Sequence, residues 1–343
     1  MSDSPKLAVV ISCYNYESYV EQSIRSVLDQ GRDDCELVVV DDGSIDNSWE
    51  AINRTGALAF RIPNGGARRA CLFGLDHTRA PFVLFLDADD ELKPGAVGAI
   101  IDRLDPGVAK LQFPLTVIDA EGNPTGGSLS DIEAFRSGDS LAREVMEKGV
   151  YKSPPTSGNV FRRDMCELLR EAEYDSFVDG VILFAAPLFG DIVSVSEELG
   201  RYRIHGRNDS GLGRLPDAAS LERDINRFLA RMRHLGEIVH RVKPGNKLVD
   251  PRKTFYYREH KLFFDVASGQ RPQLAALPGL LSKLAGETLS AKSKLALALF
   301  FCLASVLPNA RSKALLAYRL KTGHRTALGF VKEVFGWREP LRG

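Results

Sequence analysis

The sequence predicts an α/β fold, with a sheet of buried strands followed by a helical C-terminal extension, and three apolar runs predict it. FVLFLDADDE (Phe82 to Glu91) is continuously apolar from Phe82 to Leu86, as a strand covered on both faces is, and it ends in Asp87, Asp89 and Asp90. LAVVISCYNY (Leu7 to Tyr16) and CELVVVDDGSIDNS (Cys35 to Ser48) repeat the pattern, each closing in polar residues. Between those two, SYVEQSIRSVLDQ places Ile24, Val27 and Leu28 on one helical face. The order strand, helix, strand, turn follows. In open α/β sheets ligands bind at the carboxyl ends of the strands, so all three polar clusters fall where a ligand would sit. One or two carboxylates, completed by phosphate oxygens and water, are what Mg2+ or Mn2+ prefers.

Four motifs carry a resemblance. They are S-x-Y-N at Ser12 to Asn15, V-V-D-D-G-S-x-D at Val39 to Asp46, N-G-G at Asn64 to Gly66 and L-D-A-D-D at Leu86 to Asp90. Together, over residues 6–95, the chain resembles a family 2 glycosyltransferase of the GT-A type, whose domain is Rossmann-like. Carried over position by position, the resemblance implies that Ser12, Tyr14 and Asp42 contact the nucleoside. Asp87 would face the ribose and metal region, and Asp89 would hold a divalent cation, Mn2+ or Mg2+. The family pattern after N-x-G is A-R-N-x-G. Here Ala70 and Gly74 keep its register, while Cys71 and Leu72 stand in place of Arg and Asn. Arg68 or Arg69 could contact phosphate from this helix start, or be solvated.

Downstream, Ala96 to Leu104 is helical, LQFPLTVIDAEGNPTGG is a strand with a hairpin or loop, and 131–149 is helical again. Ser153 to Asp164, SPPTSGNVFRRD, is a loop entering a helix. By the resemblance it lies beside the acceptor, so Thr156, Ser157 and Asn159 are sugar contacts, or hydroxyls capping that helix. Tyr174 to Ser210 is the second chemical segment. Inverting transfer needs a carboxylate to take the acceptor's proton, and Asp179, before the apolar VILFAAPLF, matches the family's acid. Asp175 is the fallback, on the same face if the segment is helical. The ending Tyr202 to Asn208 resembles Y-R-x-H-x-x-N, so His205 would complete the metal shell or bond the diphosphate, with Arg203 or Arg207 available to phosphate.

The totals narrow the class further. The chain has 343 residues, with 45 Lys and Arg against 45 Asp and Glu, so no net charge steers it to nucleic acid. Cys13, Cys35, Cys71, Cys166 and Cys302 are scattered, which fits neither a disulfide framework nor a zinc site. No apolar leader precedes the first strand, so a cytoplasmic enzyme is expected.

The transferase domain is placed at 1–215 and the helical extension at 216–343. Leu221 to Val239 is an amphipathic helix that packs on the domain or on a second subunit, making a homodimer. Leu295 to Leu307 is too short to span a bilayer, for which ~20 residues are required. The tail from Arg311 to Gly343 carries eight Lys or Arg against two Glu. This region either lies on the anionic inner face of the plasma membrane, or is a buried helix with a solvated tail. The expected partners are thus a nucleotide-sugar donor and a saccharide or lipid-linked acceptor. A nucleotidyltransferase usually has a Gly-rich basic loop after strand one, which SCYNYES lacks. A non-catalytic sugar- or nucleotide-binding module is the other rival, and the absence of G-x-G-x-x-G disfavours a dehydrogenase.

Overall fold

The computed structural model describes residues 4–130, 132–206, 208 and 217–320. The chain divides into two compact units, one made of Met1–His205 with Arg231–Leu248, the other of Gly206–Ala230 with Val249–Gly343.

The first unit begins with regular alternation of β1 (Leu7–Cys13), α1 (Val20–Leu28), β2 (Cys35–Asp41), α2 (Ser48–Arg54), β3 (Ala59–Arg61), α3 (Ala67–Asp76) and β4 (Phe82–Asp87). β1 lies between β2 and β4 and runs parallel to both, with Ser12 level with Val40 on one side and Asp87 on the other. Leu7 to Ile11, Val38 to Val40 and Val83 to Leu86 are fully buried, which is why these runs carry no polar alternation.

Beyond β4 come β5 (Glu91–Leu92), α4 (Ala96–Ile101), β6 (Val108–Gln112), β7 (Leu115–Ile118), β8 (Pro124–Leu129), β9 (Phe135–Ser137), α5 (Asp139–Lys148), β10 (Asn159–Arg162), α6 (Arg163–Cys166), α7 (Val181–Ala185), β11 (Asp191–Ser194) and β12 (Gly200–Arg203). The main sheet has the order β3-β2-β1-β4-β10-β6-β11-β9, and a smaller one has β5-β12-β7-β8. The main sheet is mixed. β10 inserts antiparallel between β4 and β6, with Val160 opposite Leu84 and Leu111.

That strand corrects the expectation of a plain loop over Ser153 to Asp164. Only Val160 and Phe161 are apolar there, and both are buried, so the run is too short to show against its Pro, Ser and Gly neighbours. The hairpin expected after residue 110 forms as β7 and β8. The helix expected over 131–149 is shortened to α5, because Phe135–Ser137 pairs with β11.

Five further α-helices are described: α8 (Ala218–Val242), α9 (Phe255–Ala267), α10 (Leu277–Ala285), α11 (Ala291–Val306) and α12 (Asn309–Leu320). In the second unit Phe263 and Val266 of α9, Leu284 of α10, Phe300 and Phe301 of α11 and Leu315 of α12 share one apolar core. Thr254 caps α9 by accepting the Tyr257 amide at 3.2 Å, and Ser290 caps α11 by accepting that of Ser293 at 3.1 Å. Among the described residues no helix is long and apolar enough to cross a membrane. Arg207 and the tail beyond residue 320 lie outside the described residues.

Candidate active site

The carboxyl ends of β1, β2 and β4 meet at one edge of the main sheet. The loop after β1 is tied to the turn after β2. The Asn15 amide donates to Ser44 Oγ at 2.9 Å, Asn15 Oδ1 accepts the Ile45 amide at 2.9 Å, and the Tyr16 amide donates to Ser48 Oγ at 2.9 Å. Asn15 does this at φ +60°, a conformation that few residues other than Gly adopt, and Asn among the most readily. The turn itself needs Gly43, at φ +73°, where a Cβ would meet the Asn64 amide nitrogen at 2.9 Å.

Asp42 is buried and bonds the N-G-G segment, its two oxygens accepting the Gly65 and Gly66 amides at 2.9 and 2.7 Å. Its neighbour Asp41 pairs with Arg61 at 3.0 Å. Ser12 is half-buried one strand away and lies by the Cys71 thiol, which burial pushes up to about 12 against the influence of Ser12. Cys71 is therefore an inert packing group beside the site. Tyr14 is exposed, at 44%.

After β4 the chain turns tightly, and Arg203 clamps the turn. This arginine is 1% exposed. Its Nε donates to the Asp89 carbonyl at 2.9 Å, and Nη2 donates to Gln22 at 2.9 Å and to Glu91 Oε1. Nη1 reaches the Ala120 carbonyl at 3.2 Å, and the guanidinium sits 5.0 Å from the centre of the Tyr19 ring. Arg203 thus holds the acidic turn in place, and its donors are committed to protein groups. Asp90, buried below it, accepts the Arg203 amide at 3.0 Å; burial first, then the charges of Asp89 and Asp87, hold its carboxyl well above the usual range.

His205 and Asp89 come together as the motifs imply, with Nε2 and Oδ2 2.9 Å apart. The imidazole is sandwiched by Tyr19, at 4.9 Å between ring centres, and edged by Tyr16 at 5.9 Å. The two are hydrogen-bonded to each other, and the same 2.9 Å separation suits two adjacent ligands, each ~2.1 Å from an octahedral cation. The pair therefore fits a divalent cation. Among the described residues no group of three or more His, Cys, Asp and Glu is arranged to hold a metal, so its other ligands would be diphosphate oxygens and water.

The second chemical segment joins the first through the short turn Thr156–Gly158. Ser157 Oγ accepts the Asp87 amide at 3.1 Å, while the neighbouring Thr156 side chain acts to lower the Asp179 carboxyl. Two successive residues therefore lie against the end of β4 and against Asp179. Asp179 is half-buried, two residues before α7. Burial raises its carboxyl above the ordinary value, against the pull of Arg231 and Thr156. Asp175 does not share a helical face with it. Residues 173–180 are turns and bends, and Asp175 Oδ1 accepts the Phe177 amide at 3.1 Å. A Cβ at Gly180 would strike Asp175 Oδ2 at 2.7 Å, so glycine is what lets the two acids pack here.

Of the loop residues, Asn159 is fully buried and committed. It donates to the Pro154 and Pro155 carbonyls at 3.0 and 2.7 Å, and its Oδ1 accepts from Lys110 Nζ at 2.8 Å. Lys110, which the sequence reading missed, is also fully buried; it donates to Ser153 Oγ at 2.8 Å and lies 4.9 Å from the Tyr151 ring centre. Burial drives its ammonium well below the ordinary value, and the charge of Asp179 acts the other way. The signal was a lone lysine inside the apolar run VAKLQF.

Comparison with known proteins places this geometry. Residues 8–166 match the family model for glycosyl transferase family 2. An uncharacterized glycosyltransferase of Nostoc sp. is 33% identical over 216 residues, covering 60% of this chain and 66% of the relative. The GalNAc(5)-diNAcBac-PP-undecaprenol beta-1,3-glucosyltransferase of Campylobacter jejuni is 32% identical over 130 residues, 35% of this chain and 40% of that one. The matched regions thus span less than two thirds of these two relatives' own lengths. S. aureus TarS (residues 1–349) has a similar structure, with a TM-score of 0.52 at 15% identity and 93% of each chain covered. The mixed sheet, the acidic turn after β4 and these similarities agree: residues 8–166 are a glycosyl transferase family 2 domain, in a chain with a GT-A fold and a helical C-terminal region.

Proposed function

We propose that this glycosyltransferase is inverting and metal-dependent, and that it moves a sugar from a nucleoside diphosphate to a hydroxyl of a saccharide or lipid-linked glycan. The observation that supports this most is the Thr156–Ser157 turn, in which Ser157 bonds the Asp87 end of β4 and the neighbouring Thr156 acts on the Asp179 carboxyl. A leaving diphosphate and an acceptor hydroxyl have to be held on opposite sides of one anomeric carbon. Asp179 takes the hydroxyl proton as the acceptor oxygen bonds to that carbon and the bond to the diphosphate breaks. Asp89 and His205 would hold a divalent cation, which neutralises charge on the departing diphosphate. Ser12, Tyr14 and Asp42 face the nucleoside, with Asp42 also fixing the Gly65–Gly66 backbone, and Asp87 is oriented toward the ribose and cation.

We place the transferase domain at 1–215 and the extension at 216–343; Arg231–Leu248 of that extension belongs to the first compact unit. Family membership supports a nucleotide-sugar donor. TarS, which shares the fold, has been solved with UDP-GlcNAc, at a TM-score of 0.50 and 14% identity. The C. jejuni relative, by its name, acts on an undecaprenyl-diphosphate-linked glycan, which favours the lipid-linked acceptor.

The stereochemical part is tested by proton NMR of product formed from a panel of α-linked UDP- and GDP-sugars with saccharide and polyprenyl-diphosphate acceptors. A β-linked product, formed with Mn2+ and not with EDTA, is expected. An α-linked product, or undiminished turnover in EDTA, would overturn the reading.

A further inference from the structure

A surface helix normally has one apolar face and one polar face, and α11 does not. Its sequence, AKSKLALALFFCLASV, carries apolar residues all round and no acid. Leu297, Phe300, Phe301 and Ala304 point into the core of the second unit. On another face Leu295 is 73% exposed, Leu299 58% and Val306 63%. Cys302, half-buried, falls between them, and the spacing 295, 299, 302, 306 makes one stripe. Lys292 continues that stripe one turn toward the N-terminus and is exposed. Single exposed leucines are ordinary, whereas a row of them along a helix marks an interaction surface.

The charge of the segment that carries the stripe says what covers it. From Leu277 to Leu320 the chain has six basic residues, Lys283, Lys292, Lys294, Arg311, Lys313 and Arg319, and one acid, Glu287. A second copy of the chain docked by a two-fold axis would bring two such cationic surfaces together, which is unfavourable. An anionic lipid surface matches both properties, taking the leucines at the headgroup boundary and the lysines among the phosphates. We propose that the exposed face of α11 seats the protein on an anionic membrane, lying on it rather than crossing it. This surface is independent of the transferase reading, since none of its residues belongs to the site at the strand ends.

The test is co-sedimentation of the full-length protein with vesicles, one set of phosphatidylcholine alone and one with about a third phosphatidylglycerol. The wild type should pellet with the anionic vesicles at low salt, and be released by ~1 M salt, where charges more than about 3 Å apart are screened. Leu295→Ser with Leu299→Ser should lower the bound fraction about tenfold, with an unchanged melting temperature, since both side chains are exposed. Lys292→Gln with Lys313→Gln should weaken binding without altering the fold. Absence of wild-type binding to anionic vesicles, or binding by the double-serine variant equal to wild type, would overturn the proposal. So would a wild-type dimer that the double-serine variant dissolves in sedimentation velocity, in the absence of vesicle binding, because the stripe would then be a subunit contact. Loss of transfer by an Asp179 variant that still binds vesicles would leave the proposal standing, so the two readings fail separately.

Discussion

Asp179→Asn should lower turnover by about 10^2 to 10^4-fold while leaving nucleotide binding unchanged, because it removes the base and keeps the shape. Steady-state rates beside a nucleotide titration separate the two. Wild-type turnover in the variant would remove Asp179 from the mechanism. The same substitution should stabilise the fold. Burial raises the Asp179 carboxyl above 3.8, with Arg231 and Thr156 only partly countering it. A group that binds its proton more tightly when folded costs stability once ionised. That cost is absent below pH 3.8 and complete above the raised folded value. Asparagine never carries the charge, so the variant should melt higher than wild type at pH 8, with the gap closing on acidification. For the wild type, kcat/KM should fall on the acid side at a higher pH than an ordinary aspartate would give.

Arg203→Met should be the most destabilising substitution near the site. It removes the buried partner of Glu91 Oε1, Gln22 and the carbonyls of Asp89 and Ala120, leaving Glu91 only its half-exposed partner Arg201 at 2.9 Å. Breaking a buried ion pair from one side costs roughly 3–5 kcal/mol. At about 2–4 °C per kcal/mol for a domain of this size, melting should drop by about 10 °C. Differential scanning calorimetry measures it, and a near-wild-type melting temperature would mean that the guanidinium does not hold the turn. The nucleotide response should weaken in step, since the acidic turn after β4 is what Arg203 fixes.

The contrast between these residues shows what the sequence could tell. β1, β2 and β4 are legible because strands buried on both faces write continuous apolar runs, and β10 is not, because two buried residues among Pro, Ser and Gly make no run. Asp89 and His205 are 116 residues apart, and no local pattern joins them; the motif ending in Y-R-x-H did. The same motif suggested phosphate for Arg203, whereas burial and carbonyl partners make it a clamp, a distinction that depends on tertiary neighbours. Asp175 and Asp179 read as one helical face only if the segment is helical, and Gly180 allows the turns found instead. The basic, apolar C-terminal region was visible from composition, but which leucines of α11 face outward is decided by packing against α9, α10 and α12.

A nucleoside diphosphate held at the strand ends, with a cation on Asp89 and His205, should stabilise the fold. Thermal shift with UDP, GDP, dTDP and CDP, with and without Mn2+, on the wild type and on Asp89→Ala measures this. A ligand at a hundred times its dissociation constant adds about 2.7 kcal/mol, a shift of several degrees. The expected result is that one diphosphate raises the melting temperature of the wild type only when Mn2+ is present, and that Asp89→Ala abolishes the rise. No shift with any nucleotide, or an equal shift in Asp89→Ala, would contradict it.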